Sequence, residues 1–207
     1  MKSIVLLSAP AGGKGTISKY IENKYNYDHI SVGDLLRDEA KKNKDIDTLL
    51  KSGSLLDDDF VLNILQRRLE KQTNDFVLDG FPRNINQASK LDKLFKDFNI
   101  ELQMVICINV DKDVLEKRIN SRVICDKCKS VYNLLKDEII DNKCPNCENE
   151  LIHRNDDKKS TFETRYKVFE SMKKDILSYF NDYKEIKNNT DINEAYKQID
   201  ALMKGDN

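Results

Sequence analysis

Ser8-Ala9-Pro10-Ala11-Gly12-Gly13-Lys14-Gly15-Thr16 follows an apolar run at residues 3–7 and opens a segment of helical spacing at 14–24. A buried strand that feeds a glycine-rich turn into a helix start presents backbone N–H groups and the positive helix end to an anion. In that arrangement Lys14 reaches the outer phosphates of a nucleotide, and Thr16 offers a hydroxyl near Mg²⁺. The same residues also suit an ordinary glycine-rich turn. Ser8 stands where such loops usually begin with glycine, so the motif is imperfect. Gly-Lys-Gly-Thr between a strand and a helix still favours phosphate.

Working outward, strand-length apolar runs recur at 76–78, 103–110 and 185–187. Helical spacing recurs at 33–42, 45–51, 57–71, 84–98, 111–121, 158–180 and 191–204. The carboxylates Asp57, Asp58 and Asp59 suit the start of the third of these helices. This alternation predicts an α/β fold, a P-loop-type parallel sheet flanked by helices on both faces. Residues 122–154 break the rhythm: they show no helical pattern and hold four of the five cysteines. They read as an inserted subdomain.

The 207 residues make one large domain, or a core with small insertions. Lys and Arg total 35 against 36 Asp and Glu, a net charge of −1, which excludes the broad basic footprint of a general nucleic-acid binder. No run of 18 apolar residues exists to span a membrane. The N-terminal apolar run is strand-length and leads into a charged helix, unlike a signal peptide. The expectation is a soluble, intracellular protein. Seven glycines and three prolines are few, and most fall in candidate sites: Gly33 in Ser31-Val32-Gly33-Asp34, Gly53 before Ser54-Leu55-Leu56, and Gly80 and Pro82 in Asp79-Gly80-Phe81-Pro82-Arg83.

Asp79 comes directly after the second apolar run. Ligands of such sheets sit beyond the carboxyl ends of the strands, so Asp79 is expected to face the Lys14 loop and suits Mg²⁺ held through water. A strand-end aspartate turning with Gly80 is the plain alternative. Cys125-x2-Cys128 and Cys144-x2-Cys147 carry the spacing of a closed four-thiolate Zn²⁺ site, against disulfides or unbound thiols. Residues 122–154 are too short and polar for a core of their own, so the metal would supply folding energy. A nucleic-acid-binding zinc ribbon is the competing reading. It fits poorly, because Lys/Arg and Asp/Glu number six each between Arg122 and Arg154, and four thiolates with Zn²⁺ add −2. Cys107 reads as a core residue. His29 and His153 read as structural or surface residues.

Lys14-Gly15-Thr16, Ser31-Val32-Gly33-Asp34-Leu35-Leu36-Arg37, the Asp79 to Arg83 pentapeptide and Gln87 are in the order and spacing of the adenylate kinase family, which the chain resembles. The likeness continues through Arg118, Arg122, the cysteine segment, Arg154 with Asp156 and Asp157, and Arg165. It covers essentially the whole chain and points to the long-lid form. The resemblance implies reversible transfer between ATP and AMP to give two ADP, with Mg²⁺, by a cytoplasmic monomer. By the same likeness, Lys14 and the backbone of Ala11, Gly12, Gly13, Gly15 and Thr16 would cradle ATP. Arg37 and Arg83 would bind the AMP phosphate beside Val32, Gly80, Phe81 and Pro82. Gln87 and the backbone of Ser54, Leu55 and Leu56 would read adenine. Arg118, Arg122, Arg154 and Arg165 would converge on the phosphates, while Val131, Tyr132 and the backbone near Thr190 would lie along the ATP adenosine. The implied division is a core of residues 1–29, 60–121 and 155–207, a monophosphate-binding insertion at 30–59 and a zinc-binding lid at 122–154. A kinase of UMP or CMP and a catalytically weak nucleotide-binding scaffold are the alternatives.

Three positions depart from the family. Ser8 and Ala11 replace the usual glycines, and Val32 the usual threonine. Ala11 adds a Cβ to a loop that must approach phosphate closely. The expectation is that Ala11 keeps a negative φ while Gly12 absorbs the unusual torsion. Val32 is expected to remove a hydroxyl from the monophosphate pocket.

Overall fold

Strand β1 (Lys2–Leu7) sends Val5 and Leu7 into one hydrophobic core and Ile4 and Leu6 into another, the period-2 alternation of a strand covered on both faces. The computed structural model describes residues 1–154 and 157–205. Asp156, quoted above with Arg154, lies outside the described residues. After β1 come α1 (Lys14–Tyr25), β2 (Asp28–Ser31), α2 (Val32–Ala40), α3 (Lys44–Ser52), α4 (Asp58–Leu69), β3 (Phe76–Asp79), α5 (Ile85–Asp97), β4 (Glu101–Asn109) and α6 (Lys112–Ser121). The short strands β5 (Arg122–Cys125), β6 (Val131–Asn133) and β7 (Leu151–Ile152) follow. The chain continues through α7 (Lys159–Phe180), β8 (Lys184–Lys187) and α8 (Ile192–Lys204).

Among the described residues, five strands form one parallel sheet in the order β2-β3-β1-β4-β8. In β3, Phe76 and Leu78 face the first core and Val77 the second. In β4, Val105 and Cys107 face the first, Ile106 and Ile108 the second. Cys107 is fully buried there, as its apolar setting predicts, and burial pushes its thiol up to about 11. Each such aliphatic side chain contributes about 2 kcal/mol by leaving water. Chain order reverses at β1, which lies between β3 and β4, so a crevice opens at the carboxyl ends of these strands.

Side chains start several of the helices, although Asp111, expected to cap α6, makes no side-chain cap bond. Asp57 accepts from Phe60 N at 2.9 Å to start α4, and Asn84 accepts from Gln87 N at 2.7 Å to start α5. Each such cap is worth about 1 kcal/mol. One strand of this sheet escapes the sequence reading, as do the three short strands of residues 122–154. Residues Asp28 to Ser31 pair in parallel with Phe76 to Asp79 as the sheet's edge, and an edge strand with one buried residue carries little apolar signal. Residues 122–154 form a small antiparallel sheet, β6-β5-β7, beneath which Val123, Leu151, Cys125 and Cys144 are the buried core.

Candidate active site

The loop after β1 folds around its own lysine. Lys14 Nζ donates to the carbonyls of Ser8 (3.0 Å) and Ala9 (3.3 Å). Burial, assisted by the nearby charges of Arg83, Arg122 and Arg165, pulls Lys14 down to about 8, against the opposing pull of Asp79. A cation held this way is short of negative charge.

The torsion expectation for this loop is overturned. Ala11 itself adopts the left-handed conformation at φ +62°, Gly13 does so at +94°, and Gly12 stays at ordinary φ. The reason is steric. A Cβ on Gly12 would overlap Ser8 Oγ, so Gly12 is glycine to make room for Ser8 and not to supply torsion. Ser8 and Gly12 thus exchange side-chain volume, and the residual turn falls on Ala11, at about 1 kcal/mol. Gly12 also donates to Ala9 O at 3.1 Å, closing the turn.

Asn188, which sequence reasoning missed, holds this loop from the far side. Its Nδ2 donates to Gly12 O at 3.0 Å, its carbonyl accepts from Arg118 Nη2 at 2.7 Å, and its own N–H donates to Asn109 O at 3.0 Å. A lone asparagine after a weak strand gives no sequence signal. His29, read from sequence as structural or surface, stands at the cleft wall: from β2 its Nε2 lies 3.6 Å from Asp79 Oδ2. Burial raises Asp79, but the neighbouring imidazole and the charge of Lys14 outweigh it and hold the carboxyl below its usual range.

Around this centre lies a cleft of about 970 Å³, lined by Lys14 and all six predicted arginines. Arg37 reaches from α2 and pairs with Asp34 at 2.7 Å. Arg83 follows β3, its Nε donating to Gly80 O at 3.0 Å, next to a cis Phe81–Pro82 bond. Arg118 ends α6. Arg122 forms a two-pronged ion pair with Asp157, whose side chain is buried. Arg154 sits 3.9 Å from Asp34, and burial followed by the charges of Arg37 and Arg122 pulls it down to about 10. Arg165 comes from α7 and donates to Leu50 O at 3.1 Å. Arg118 Nη1 and Arg154 Nε are buried with no hydrogen-bond partner among the described residues. Buried donors of this kind need an acceptor, and an anion suits a cleft this cationic.

The remaining predicted residues divide. Ala11, Gly12, Gly13, Gly15, Thr16, Leu55, Gly80, Phe81, Pro82, Val131 and Tyr132 line the cleft. Ser54, Leu56, Val32, Gln87 and Thr190 lie outside that lining. Val32 is 1% exposed within the core under α2, so its missing hydroxyl is a core change, not a pocket change. Gln87 is 2% exposed. It accepts from Arg83 N and donates one of its two amide hydrogens to Asp58 Oδ1, each at 2.7 Å. Thr190 offers its carbonyl to Lys136 Nζ at 3.2 Å.

The four lid cysteines bring their sulfurs within 4.8 Å of one another. Cys125 and Cys147 Sγ are 3.4 Å apart, and Cys128 and Cys144 Sγ 3.5 Å. Those separations are too long for disulfides, and close to the ~3.8 Å edges of a tetrahedron with ~2.3 Å metal–sulfur bonds. The two knuckles repeat each other: Lys129 donates to Cys125 O and Glu148 to Cys144 O, and both adopt left-handed φ, +60° and +59°. The donor set therefore fits Zn²⁺. The lid meets the α2–α3 insertion across the cleft, with Lys41 3.8 Å from Asp126. Among the described residues no helix is long and apolar enough to cross a membrane.

The adenylate kinase family model matches residues 6–185. The chain is 36% identical to an adenylate kinase of Listeria innocua, over 97% of this chain and 98% of that protein. It is 36% identical to one of Thermotoga neapolitana, over 87% and 86%, and 33% identical to one of Archaeoglobus fulgidus, over 97% of each. With a phosphate loop, an arginine-lined cleft and a four-cysteine lid in family order, the chain belongs to the adenylate kinase family.

Proposed function

We propose that the protein catalyses reversible, Mg²⁺-dependent transfer of the γ-phosphoryl group of ATP to AMP, giving two ADP. One observation carries this reading: a chain of net charge −1 places eleven Lys and Arg side chains, Lys14 and the six arginines among them, against three Asp on one cleft at the carboxyl edge of its sheet. Phosphoryl transfer needs in-line placement and neutralised oxygens more than a nucleophile, and the AMP phosphate attacks already ionised.

Lys14 and the Ala11 to Thr16 backbone hold the ATP phosphates. Arg37 and Arg83 hold the AMP phosphate, and Arg118, Arg122, Arg154 and Arg165 surround the group in flight. Asp157 fixes the plane of Arg122, and Gln87 fixes the backbone that carries Arg83. Asp79 and Thr16 are the residues that would hold Mg²⁺, which supplies neutralisation of the phosphate oxygens when bound with ATP. Val131 and Tyr132 flank the ATP adenosine with the backbone near Thr190, and Leu55 faces the AMP base between Ser54 and Leu56. The core comprises residues 1–29, 60–121 and 155–207. Residues 30–59 form the monophosphate-binding insertion, and residues 122–154 a lid folded on Zn²⁺ held by Cys125, Cys128, Cys144 and Cys147. Both close over the cleft and exclude water. The protein works as a cytoplasmic monomer on small nucleotides, without nucleic acid or membrane.

A nucleotide panel tests this. With ATP and Mg²⁺, AMP is expected to exceed GMP, CMP and UMP as acceptor by at least ~10-fold, because Gln87's remaining amide hydrogen and the backbone of Ser54, Leu55 and Leu56 would read adenine and a wrong base would leave them unpaired. Equal or faster turnover with CMP moves the protein to the UMP/CMP kinases.

A further inference from the structure

Outside the cleft's arginines, one hydroxyl joins three parts of the molecule. Ser130 is 4% exposed and sits in the first cysteine knuckle, where its carbonyl accepts from Cys125 N at 2.9 Å. Lys19 Nζ approaches its Oγ at 3.1 Å and Asn146 Nδ2 at 2.9 Å, while Cys128 Sγ lies 3.3 Å away. Asn146 belongs to the second knuckle. Lys19 belongs to α1, the helix that opens at the phosphate loop.

The hydrogen inventory of this cluster is decisive. A serine hydroxyl has one hydrogen to give and two lone pairs to receive. An ammonium and an amide nitrogen only donate, so Lys19 and Asn146 occupy both lone pairs. The one hydrogen is left for the Cys128 sulfur. A metal-bound sulfur carries no proton and accepts well, so every group is satisfied when the lid holds its metal. A protonated Cys128 accepts only weakly and leaves the buried hydroxyl hydrogen poorly satisfied.

We propose that Ser130 is a positioning residue that couples the lid metal to the seating of the lid on α1: its hydroxyl donates to Cys128 and accepts from Lys19. Coupling of this kind is reciprocal. The metal favours the lid contact with Lys19, and that contact slows loss of the metal. The inference rests on reading the four cysteines as a Zn²⁺ site.

The test is the rate at which zinc-loaded protein releases metal to a chromogenic chelator. Ser130→Ala is expected to release zinc ~10-fold faster or more, the usual scale for removing an outer hydrogen bond to a metal ligand. Ser130→Thr keeps the hydroxyl and stays near wild type. Lys19→Met speeds release by a smaller factor, and has no added effect in the Ser130→Ala background. Wild-type release from Ser130→Ala, or an undiminished Lys19→Met effect in that background, overturns the coupling while leaving the metal site intact. A folded protein that takes up no zinc overturns both.

Discussion

The phosphate loop and the lid face one cleft, yet they are held in opposite ways. The loop lies on the sheet's central strand, where the residues of β1 from Ile4 to Leu7 are 5% exposed or less, and the surrounding core fixes its backbone. It can therefore sustain a cation in the wrong electrostatic place and a non-glycine residue at φ +62°. Residues 122–154 have a small core cluster of Val123, Leu151 and two cysteines, with Ile124 and Ser130 also buried. On the proposed reading, its order would rest on a metal held by the four sulfurs. Strain is affordable where packing is dense, and a small polar insertion needs a metal instead.

The largest expected effect comes from removing the loop's cation. Lys14→Met is expected to lower kcat by ~10³-fold, the scale seen when a group that stabilises developing charge is lost. Stability should move the other way. Lys14 is depressed from 10.5 to about 8 in the folded protein. Its burial therefore destabilises fully below about pH 8, and that penalty fades as pH rises towards 10.5. At pH 7 the nucleotide-free variant is expected to be about 1–2 kcal/mol more stable in denaturant titration. A variant that lost both activity and stability would make Lys14 structural. Next is Arg83→Ala, with an expected loss of ~10²-fold or more in kcat/KM for AMP and little change in melting temperature. Unchanged AMP kinetics would remove Arg83 from the site.

The lid should break differently. Cys125→Ser, or zinc removal by a chelator, is expected to expose residues 122–154 to proteolysis while the unfolding of the core stays cooperative. Loss of the core along with the lid would erase the contrast between the two regions. A subtler effect is the pH dependence of ATP binding. Anionic phosphates favour the charged form of Lys14, so binding takes up a proton once the free protein titrates near pH 8. The Kd for ATP is then expected to rise about tenfold from pH 7 to pH 9, and a flat titration would show that Lys14 stays charged without ligand.

What the sequence discloses follows the same division. The alternation of buried runs and helical spacing reveals the sheet, because the central stretches of β1, β3 and β4 are covered on both faces and so read as short apolar runs. The edge strand of His29 and Ile30 is half-covered and passes unnoticed, and with it the place of His29 beside Asp79. Motif spacing locates Lys14 and the four cysteines, and the family resemblance adds the six arginines, since charge and metal ligation tolerate few substitutes. Spacing does not reveal which glycine carries torsion. Gly12 is explained only by the position of Ser8 Oγ, and the buried commitments of Gln87 and Asn188 are invisible until the elements pack.

The smallest expected effect is at the loop's own irregularity. Ala11→Gly should stabilise the protein by about 1 kcal/mol through relief of the left-handed alanine, and alter kcat/KM for ATP by less than ~10-fold. A much larger gain in turnover would favour the weak-scaffold reading. Gly12→Ala should impair the loop by contact with Ser8, and Ser8→Gly should rescue it.

The most direct test of the central claim starts from ADP alone with Mg²⁺ and follows the products by ³¹P NMR. An ATP:AMP phosphotransferase running in reverse joins two ADP in one closed cleft, so ATP and AMP should appear together in equal amounts, with no inorganic phosphate. Release of inorganic phosphate, or no reaction with properly folded, zinc-loaded protein, would contradict the account.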